Sequence, residues 1–266
     1  MHLKEIISFS LVSLLAISLS SCVKREISCI GTMNRIIYEQ IVRTEESKKF
    51  AVLINGSNEA RHRNNILKAY NMLLSQDFER DYIFVLDSEG YSKDYRVDDI
   101  ATKESISTLL NYVRCKVKKE DLLFIYCTGH GGKRKNIFKK NEATLSLHEE
   151  NISVSEFDAI IRQLNECPGI IVYDQCYSGN FAKVTGHGNF IAVSATSPER
   201  LTNLDTFADA FFQSWQNSKA DANGDGKISL YESIKDTKTN DILTQLGSNI
   251  PQIIYDNLDP KKIFLK

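Results

Sequence analysis

Two short apolar segments of this sequence each end in a side chain that can take part in nucleophilic catalysis. LLFIYCTGHGG carries His130 just past the apolar run 122–127, and GIIVYDQCYSGNF carries Cys176 just past the run 170–173. A thiol is an effective nucleophile only when it is deprotonated or served by a base, so it needs an imidazole within reach. The two side chains therefore predict a Cys–His dyad if the fold brings them together.

The elements that must position this dyad are visible in the same two segments. Each segment is a short run of apolar, β-branched and aromatic residues that stops at small or polar ones, as expected of strands buried on both faces. Ligands of an open α/β sheet bind in the crevice outside the carboxyl ends of its strands. If the two strands are parallel neighbours, the imidazole and the thiol converge on that crevice.

The rest of the chain alternates between strand and helix patterns. Ser153 and Glu156 form a capping-box pattern at the start of one predicted helix. This alternation predicts one α/β domain, residues 49–266, with a mostly parallel sheet and helices on both faces. Further strands are predicted at 50–54, 82–86, 189–193 and 251–255, and helices over 66–74, 106–113, 157–164 and 207–215.

Composition bounds the class of protein. The chain has 266 residues, a net charge of -1 and 42% hydrophobic residues, which suits one sizeable α/β domain. Nothing in this balance indicates a nucleic-acid-binding surface, so no nucleic-acid partner is expected. Six cysteines over this length are too sparse for a disulfide scaffold. Cys115 and Cys127, in or near apolar segments, are interpreted as buried structural cysteines.

The amino terminus has the pattern of a targeting segment. Lys4 precedes an apolar stretch, IISFSLVSLLAISLS, that is too short for a comfortable membrane span. The following Leu-Ser-Ser-Cys resembles a bacterial lipobox, which predicts a signal peptide at 1–21 and lipidation of Cys22. The mature protein would be anchored by acyl chains in a membrane of the bacterial cell envelope, outside the cytoplasm. Residues 22–48 would form a spacer between the anchor and the domain. The alternative is an ordinary cleaved signal peptide in which Cys22 is incidental.

Two other histidines are rivals for the role of base. His187 lies in a Gly-His-Gly sequence with no strong strand leading into it, and a surface turn is the expected place for it. His62 belongs to an Arg-His pair near a predicted helix start and is the weaker rival.

Four segments together resemble the legumain (asparaginyl endopeptidase) family of caspase-like cysteine peptidases and its relative, the catalytic subunit of glycosylphosphatidylinositol transamidase. They are FAVLINGSN followed by ARH, LLFIYCTGHGG, GIIVYDQCYSGNF and FIAVSATSPER, in the family's order over roughly residues 50–215. The resemblance implies a caspase-like (caspase-haemoglobinase) fold, a three-layer α/β sandwich with a mostly parallel sheet flanked by helices. It also implies that His130 and Cys176 form the dyad, and that peptide or protein substrates are cut carboxyl-terminal to a selected residue.

Further site residues follow from the mechanism and the resemblance. The oxyanion formed on attack by Cys176 would be held by the backbone N–H groups of Cys176 and Gly131. Arg61, Asp174 and Asp209 resemble family positions that line the pocket for the residue before the cut, although Arg61 and Asp209 could instead be solvated on helix surfaces. A cation with carboxylates could recognise the amide of Asn, whereas carboxylates alone would favour Arg or Lys. Cleavage after Asn, Asp or a basic residue therefore stays open.

One residue departs from the family pattern. Glu59 falls where the family places an Asn that orients the catalytic histidine. The identity of the third catalytic residue and a strict preference for Asn therefore stay open.

A second pattern, independent of the resemblance, predicts a calcium site. DANGDGKISLYE, residues 221–232, fits the twelve-residue EF-hand loop at every diagnostic position. Only one loop is visible, so a cooperative pair of sites is not expected. For an extracytoplasmic module we expect weak affinity, on the order of 10⁻⁴ to 10⁻³ M, and a structural role for the ion. The alternative is a calcium-free turn rich in Asp, Asn and Gly. The predicted ligands are Asp221, Asn223, Asp225, the carbonyl of Lys227 and Glu232.

The sequence therefore predicts a lipid-anchored, extracytoplasmic cysteine endopeptidase stiffened by one calcium ion. Transpeptidation, in which an amine replaces water as acceptor of the acyl group, uses the same acyl-enzyme and is not separated from hydrolysis by these patterns. The non-enzymatic alternative is a calcium-binding surface lipoprotein with an inactive peptidase domain.

Overall fold

The computed structural model describes residues 47–135, 141–164, 167–202 and 206–266. The predicted signal peptide at 1–21, the predicted lipidation site Cys22 and all but the last two residues of the predicted spacer lie outside these ranges. Within them, no helix is both long enough and apolar enough to cross a membrane.

The strands of the described chain form two sheets. Strands β1–β4 and β8–β10 make a seven-stranded sheet in the order β10-β9-β8-β4-β1-β2-β3, and β5–β7 make a small antiparallel one. In the large sheet β10 runs antiparallel to β9 and the other pairings are parallel. The strands are β1 (Lys49–Asn55), β2 (Ile83–Asp87), β3 (Asp99–Ile100), β4 (Leu122–Thr128), β5 (Gly131–Lys135), β6 (Asn141–Ser146), β7 (Asn151–Ser153), β8 (Gly169–Asp174), β9 (Phe190–Ser194) and β10 (Gln252–Ile254).

Helices cover both faces of the large sheet. Alternate residues of β1 divide between two apolar clusters, with Val52 and Ile54 in one and Ala51 and Leu53 in the other. The first cluster contains buried residues of α2, α3 and α4, and the second contains those of α1, α5 and α6. This confirms the predicted three-layer α/β sandwich with a mostly parallel sheet. The helices are α1 (Ala60–Ser75), α2 (Lys103–Arg114), α3 (Val154–Ile161), α4 (Ser178–Thr185), α5 (Thr206–Ser214), α6 (Leu230–Asn240) and α7 (Ile242–Gln245).

Buried polar residues end four neighbouring strands of the sheet. Asp87, Asn55, Thr128 and Asp174 lie side by side in register across β2, β1, β4 and β8. All four are buried, and Asn55 Nδ2 donates a hydrogen bond of 2.9 Å to Asp87 Oδ2. The apolar part of each strand stops at this row, so the loops after β4 and β8 emerge together at the carboxyl edge of the sheet.

The start of α3 is fixed by the predicted capping box. Ser153 Oγ accepts a hydrogen bond from the Glu156 N–H, and the Glu156 carboxylate accepts one of 2.7 Å from the Ser153 N–H. Lys103 and Arg134, each with a nitrogen 2.9 Å from the same carboxylate, tie α3 to α2 and β5. Burial opposes ionisation here, but these hydrogen bonds and cations outweigh it and lower the pKa of Glu156 to about 2.

The two cysteines interpreted as structural differ in burial. Cys127 is fully buried in β4, as predicted. For Cys115 the prediction of burial is wrong, because this residue caps the carboxyl end of α2 and is exposed there.

Candidate active site

A pocket lies at the carboxyl ends of β4 and β8. The loop after β4 contributes His130, the loop after β8 contributes Cys176, and Asp174 is the last residue of β8. Since β4 and β8 are parallel neighbours, their loops open into the same space, which is how residues distant in sequence come to share one pocket. The pocket is lined by Arg61, His62, Gly129, His130, Asp174, Cys176 and Thr202.

Cys176 occupies a tight turn between β8 and α4. The next residue, Tyr177, has a left-handed backbone with φ of 60°, and its N–H donates a hydrogen bond of 2.8 Å to the Arg200 carbonyl. Non-glycine residues rarely adopt this conformation, and it persists where the surrounding structure holds it. The turn leaves the thiol of Cys176 half-buried at the pocket.

The main chain of Thr202 holds the sulfur of Cys176. Cys176 Sγ donates to the Thr202 carbonyl oxygen at 3.3 Å, and the Thr202 N–H donates back to Sγ at 3.4 Å. The sequence patterns did not identify Thr202, because a contact made through the backbone carries no side-chain signature. The resting thiol is therefore contacted by the segment that follows β9.

The main chains at Gly131 and Cys176 are in direct contact. A Cβ atom built on Gly131 would lie 2.0 Å from the carbonyl oxygen of Cys176 and 2.8 Å from its amide nitrogen. These separations exclude any side chain at position 131 without a shift of the backbone. The two peptide groups expected to hold the oxyanion therefore belong to segments that pack against each other.

His130 is paired with the carboxylate of Glu59. His130 Nε2 lies 2.7 Å from Glu59 Oε1, and Arg61 Nε donates a hydrogen bond of 2.6 Å to Glu59 Oε2. Glu59 is the residue before α1, yet its side chain makes no capping bond to that helix. The hydrogen bond from Arg61, and then that from His130, lower the pKa of Glu59 below its usual value. The Glu59 carboxylate, at the position where the resembling family has an Asn, therefore lies against His130.

His62 also lines the pocket, and its environment is unusual. It is 2% exposed, its Nδ1 lies 2.8 Å from Thr128 Oγ1, and its Nε2 has no hydrogen-bond partner in the described structure. Its ring meets that of His130 edge-on, with 5.5 Å between centroids. Burial, followed by the nearby charges of Arg61 and His130, lowers the pKa of His62 to about 4. The sequence patterns made His62 the weakest rival of His130 for the role of base. The one sequence feature that pointed to His62 was its position in the Arg-His pair.

Asp174 and Arg61 are brought together at this pocket. Asp174 is 4% exposed, and its Oδ2 accepts hydrogen bonds from Tyr126 Oη at 2.9 Å and from Asn65 Nδ2 at 3.2 Å. Arg61 lies in the first turn of α1, and its side chain is 33% exposed. A cation and a carboxylate therefore both border the space beside Cys176.

Asp209 is not brought to this pocket. It lies in the first turn of α5, where its carboxylate pairs with Lys68 of α1. Together with Met72 and Phe212 these two residues border a separate pocket between α1 and α5. The neighbouring apolar residues of α5 turn inward to the core, so Asp209 falls on the outer face of that helix.

The rival histidine His187 lies away from the thiol. Its Nε2 is 2.9 Å from Asp158 Oδ1 of α3, and the residue is half-buried outside the residues that line the pocket.

The predicted EF-hand loop has a backbone arranged around its acidic side chains. Asp221 accepts hydrogen bonds from the N–H groups of Gly224 at 2.8 Å and Gly226 at 2.9 Å. Asp225 Oδ1 accepts one of 2.9 Å from the Lys227 N–H. Gly226 has a φ of 83°, a left-handed conformation that favours glycine at the turn.

The last predicted ligand, Glu232, closes the loop. Its Oε1 accepts from the Ala222 N–H at 3.1 Å, and its Oε2 accepts from the Ser229 N–H at 3.0 Å in the capping box of α6. Burial raises the pKa of Glu232, but these hydrogen bonds outweigh it, so the net shift is downward. The donor set of carboxylate, amide and carbonyl oxygens suits a hard cation such as Ca²⁺, so the residues present fit the predicted ion.

Comparisons with known proteins concern the family and the fold. Residues 87–248 match the profile described as the peptidase C13 family, a range that includes His130 and Cys176. No curated protein sequence matches the chain. In structure the chain is similar to a protein of Geobacter sulfurreducens known from its crystal structure, with a TM-score of 0.58 and 12% sequence identity. That similarity covers 82% of this chain and 97% of the other, and at this identity it bears on the fold alone.

Proposed function

The chain belongs to the peptidase C13 family, which indicates a cysteine-type peptidase, and from that membership we propose a cysteine endopeptidase in which Cys176 is the nucleophile and His130 its acid–base partner. One observation carries the proposal: the thiol and the imidazole line a single pocket at the carboxyl ends of two parallel strands. Peptide or protein substrates would be cut within their chains.

The proposed reaction proceeds through an acyl-enzyme. The Cys176 thiol gives its proton to His130, the resulting thiolate attacks the scissile carbonyl carbon, and the oxyanion is held by the N–H groups of Cys176 and Gly131. His130 donates a proton to the leaving amine as the C–N bond breaks. Water then attacks the thioester, His130 accepts its proton, and the thiolate leaves with a carboxylic acid as the second product. The contact between Gly131 and Cys176 supports the placement of both N–H groups at one carbonyl.

Glu59 is proposed as the residue that orients His130. Its carboxylate oxygen, 2.7 Å from His130 Nε2, would hold the imidazole so that Nδ1 serves the thiol and the leaving amine. Arg61, bonded to the other carboxylate oxygen, would in turn fix Glu59. Glu59 is a positioning residue in this scheme, because it touches His130 rather than the substrate.

Asp174 and Arg61 are proposed to recognise the side chain before the cut. A carboxylate that accepts and a guanidinium that donates match the two ends of an Asn amide. Asp174 is held by Tyr126 and Asn65, so its geometry is set before substrate binds. The proposal therefore favours cleavage after Asn over cleavage after Asp or a basic residue, and it leaves Asp209 out.

A peptide library tests the proposed function. The full chain is incubated with peptides that vary the residue before the cut, and the products are identified by mass spectrometry with and without an added amine. Cleavage that is lost in Cys176→Ala and in His130→Ala but kept in Cys115→Ala supports the proposal, because Cys115 is an exposed cysteine outside the pocket. Cleavage that survives in Cys176→Ala refutes it. Amide products in place of acids would indicate that the enzyme is a transpeptidase. A wild-type chain that cleaves no peptide would favour the non-enzymatic alternative, a calcium-binding lipoprotein with an inactive peptidase domain.

Calcium binding by the loop 221–232 is proposed separately. The acidic side chains already organise the loop backbone through hydrogen bonds to Gly224, Gly226 and Lys227, which supports a site formed for an ion rather than an irregular turn. The proposed ligands are Asp221, Asn223, Asp225, the carbonyl of Lys227 and Glu232.

Lipidation of Cys22 is proposed from the sequence pattern alone. It would hold the enzyme outside the cytoplasm in the bacterial cell envelope. Metabolic labelling with an alkyne fatty acid tests this: label is expected in the wild-type chain, and persistence of the label in Cys22→Ser would refute the assignment.

A further inference from the structure

Glu59, His62 and His130 form a cluster of potential metal ligands beside the thiol. One ligand atom from each lies within 4.8 Å of the others, and among the described residues a group of three such side chains occurs at this place. We propose that the cluster binds a divalent transition-metal ion of the zinc class, and that the bound ion withdraws His130 from catalysis. The proposed inhibition rests on the proposed function, whereas the proposed metal binding does not.

The strongest support for a metal site is the unpartnered ring nitrogen of His62. Its Nε2 is buried without a hydrogen-bond partner, in a residue that is 2% exposed and lines the pocket. A buried polar atom without a partner costs free energy, so it calls for an explanation. His62 Nδ1 lies 2.8 Å from Thr128 Oγ1, and in the tautomer that donates Nδ1–H to this oxygen Nε2 carries a lone pair. A metal ion at the pocket would satisfy that lone pair.

Thr128 gives His62 the support that metal-binding histidines have in other proteins. Such histidines donate their second ring N–H to an acceptor, which fixes both the tautomer and the orientation of the ring. Here the hydroxyl that can accept this bond belongs to Thr128, the last residue of β4, whose position is fixed by pairing with Asn55 of β1 and Asp174 of β8. The ring of His62 is therefore held by the sheet itself.

The chemistry of the donors selects the class of ion. Two imidazole nitrogens and one carboxylate oxygen suit Zn²⁺ and its neighbours in the first transition row, whereas Ca²⁺ and Mg²⁺ take oxygen ligands. Tetrahedral bonds of about 2.0–2.1 Å require ligand atoms ~3.4 Å apart. Glu59 and His130, at 2.7 Å, would separate, and ligand atoms that now lie up to 4.8 Å apart would draw together by rotation of the more exposed Glu59 and His130 side chains. A fourth position is left for water, because Cys176 Sγ is held by the main chain of Thr202.

Occupation of this site would stop the reaction in a defined way. With Nε2 on the metal, the neutral imidazole of His130 carries its hydrogen on Nδ1, so this nitrogen has no lone pair to accept a proton from the thiol or from water. Nε2 would also lose its bond to Glu59, so His130 would lose both its orientation and its role as the base. The ion would act as a reversible inhibitor, and a chelator would restore activity.

Direct binding tests the first half of the proposal. The full chain, stripped of metal and supplied with millimolar calcium to occupy the EF-hand loop, is titrated with Zn²⁺ in competition with a chromophoric chelator. His62→Asn is the informative variant, because an Asn amide can keep the bond to Thr128 while lacking an atom at the place of Nε2. We expect at least a ~10-fold weaker affinity in His62→Asn and no change in His187→Ala, the matched control outside the pocket.

Two further arms keep the binding test decisive. Cys176→Ala should bind Zn²⁺ as tightly as the wild type, so the site can be established even if the chain proves to have no peptidase activity. The Co²⁺ complex of the wild type should lack a thiolate-to-metal charge-transfer band. Such a band, unchanged affinity in a folded His62→Asn, or loss of all tight binding in Glu232→Gln would overturn the proposed site.

Activity tests the second half. Zn²⁺ should inhibit peptide cleavage by the wild type, a chelator should reverse the inhibition, and the inhibition constant of any residual activity in His62→Asn should rise by the same factor as the dissociation constant. Equal inhibition of both chains would show that the ion acts elsewhere, for instance on the thiol alone. An increase of activity with Zn²⁺ would equally contradict the inhibitory role.

Discussion

Gly131 and Cys176 contact each other through their main chains, with a Cβ on Gly131 falling 2.0 Å from the Cys176 carbonyl oxygen. The two residues follow neighbouring parallel strands, β4 and β8, so the contact is a consequence of the sheet order. Close backbone approach would allow the N–H groups of these two residues to reach one carbonyl oxygen of a substrate, as proposed above. The absence of a side chain at position 131 is thus a geometric requirement of the site.

Gly131→Ala tests this requirement. The added methyl group must displace the backbone around Cys176, so kcat for peptide cleavage should fall by about 10²-fold or more, as when one oxyanion donor is removed. Steady-state kinetics and the rate of labelling by an active-site-directed acyloxymethylketone measure the effect. Gly132→Ala is the matched control, because its Cβ would meet the Thr144 side-chain oxygen at 3.0 Å rather than main chain. Equal losses in both variants would contradict the specific role of Gly131.

The architecture was predictable because its patterns are local and repeated. Strands buried on both faces read as apolar runs, and the Ser153–Glu156 capping box marks the start of α3 in the sequence as in the structure. The convergence of the loops after β4 and β8 needed one further assumption, that the two strands are neighbours, and the sheet satisfies it.

The details of the pocket were not predictable in the same way. The resemblance pointed to Asp209 as a residue of the substrate pocket. In the structure Asp209 pairs instead with Lys68 of α1 and borders a different pocket. Which face of α5 meets α1 is decided by tertiary packing, which the sequence pattern does not show. Thr202 reaches Cys176 through backbone atoms that no residue type signals. His62 was underrated because its importance lies in burial and in an unpartnered nitrogen, which a sequence does not display.

Glu59→Ala tests whether a carboxylate orients His130. Without it the imidazole loses its bond partner, so kcat should fall about 10-fold or more and KM should change by a smaller factor, because in the proposed scheme Glu59 contacts His130 directly and the substrate only through Arg61. Glu59→Gln, which keeps an acceptor oxygen, should retain more activity than the alanine variant. Glu89→Ala is the control: Glu89 pairs with Arg63 at 3.0 Å and is similarly exposed, at 49% against 45%. A rise in KM with unchanged kcat would argue against positioning.

Asp174→Asn tests the proposed recognition of the residue before the cut. Removing the negative charge weakens the hydrogen bond to a substrate amide, so kcat/KM for peptides with Asn at that place should fall about 10-fold or more. The same substitution at Asp209 should leave the preference unchanged within about twofold, since Asp209 borders the other pocket. A change of preference in Asp209→Asn with none in Asp174→Asn would reverse the assignment. Because Asp174 is buried, its substitution can destabilise the fold, so the melting temperatures of both variants are measured as a control.

Glu156→Gln tests the link between stability and pH at the start of α3. The pKa of Glu156 is lowered from 4.5 to about 2, so its ionised form stabilises the folded state above about pH 4.5, and this contribution is lost as pH falls towards 2. The wild type should therefore melt above the variant near pH 7, with a difference that shrinks below about pH 4.5. The carboxylate is 38% exposed, so solvent screening limits the effect to at most ~1 kcal/mol. Glu104→Gln, at an exposed residue in the first turn of α2, serves as control, and a difference that grows on acidification would contradict the sign.

Calcium should stabilise the chain through the loop 221–232. With a dissociation constant of about 10⁻⁴ to 10⁻³ M, calcium at about 10 mM adds roughly 1.4 to 2.7 kcal/mol to the free energy of unfolding. The melting temperature should then rise by roughly 3 to 10 °C, and excess chelator should abolish the rise. Glu232→Gln keeps a side chain able to cap α6 but removes one charge of the proposed bidentate ligand, so most of the calcium-dependent shift should disappear. Glu156→Gln makes the same change in the capping box of α3, away from the loop, and should keep the full shift; an equal calcium response in both variants would remove Glu232 from the site.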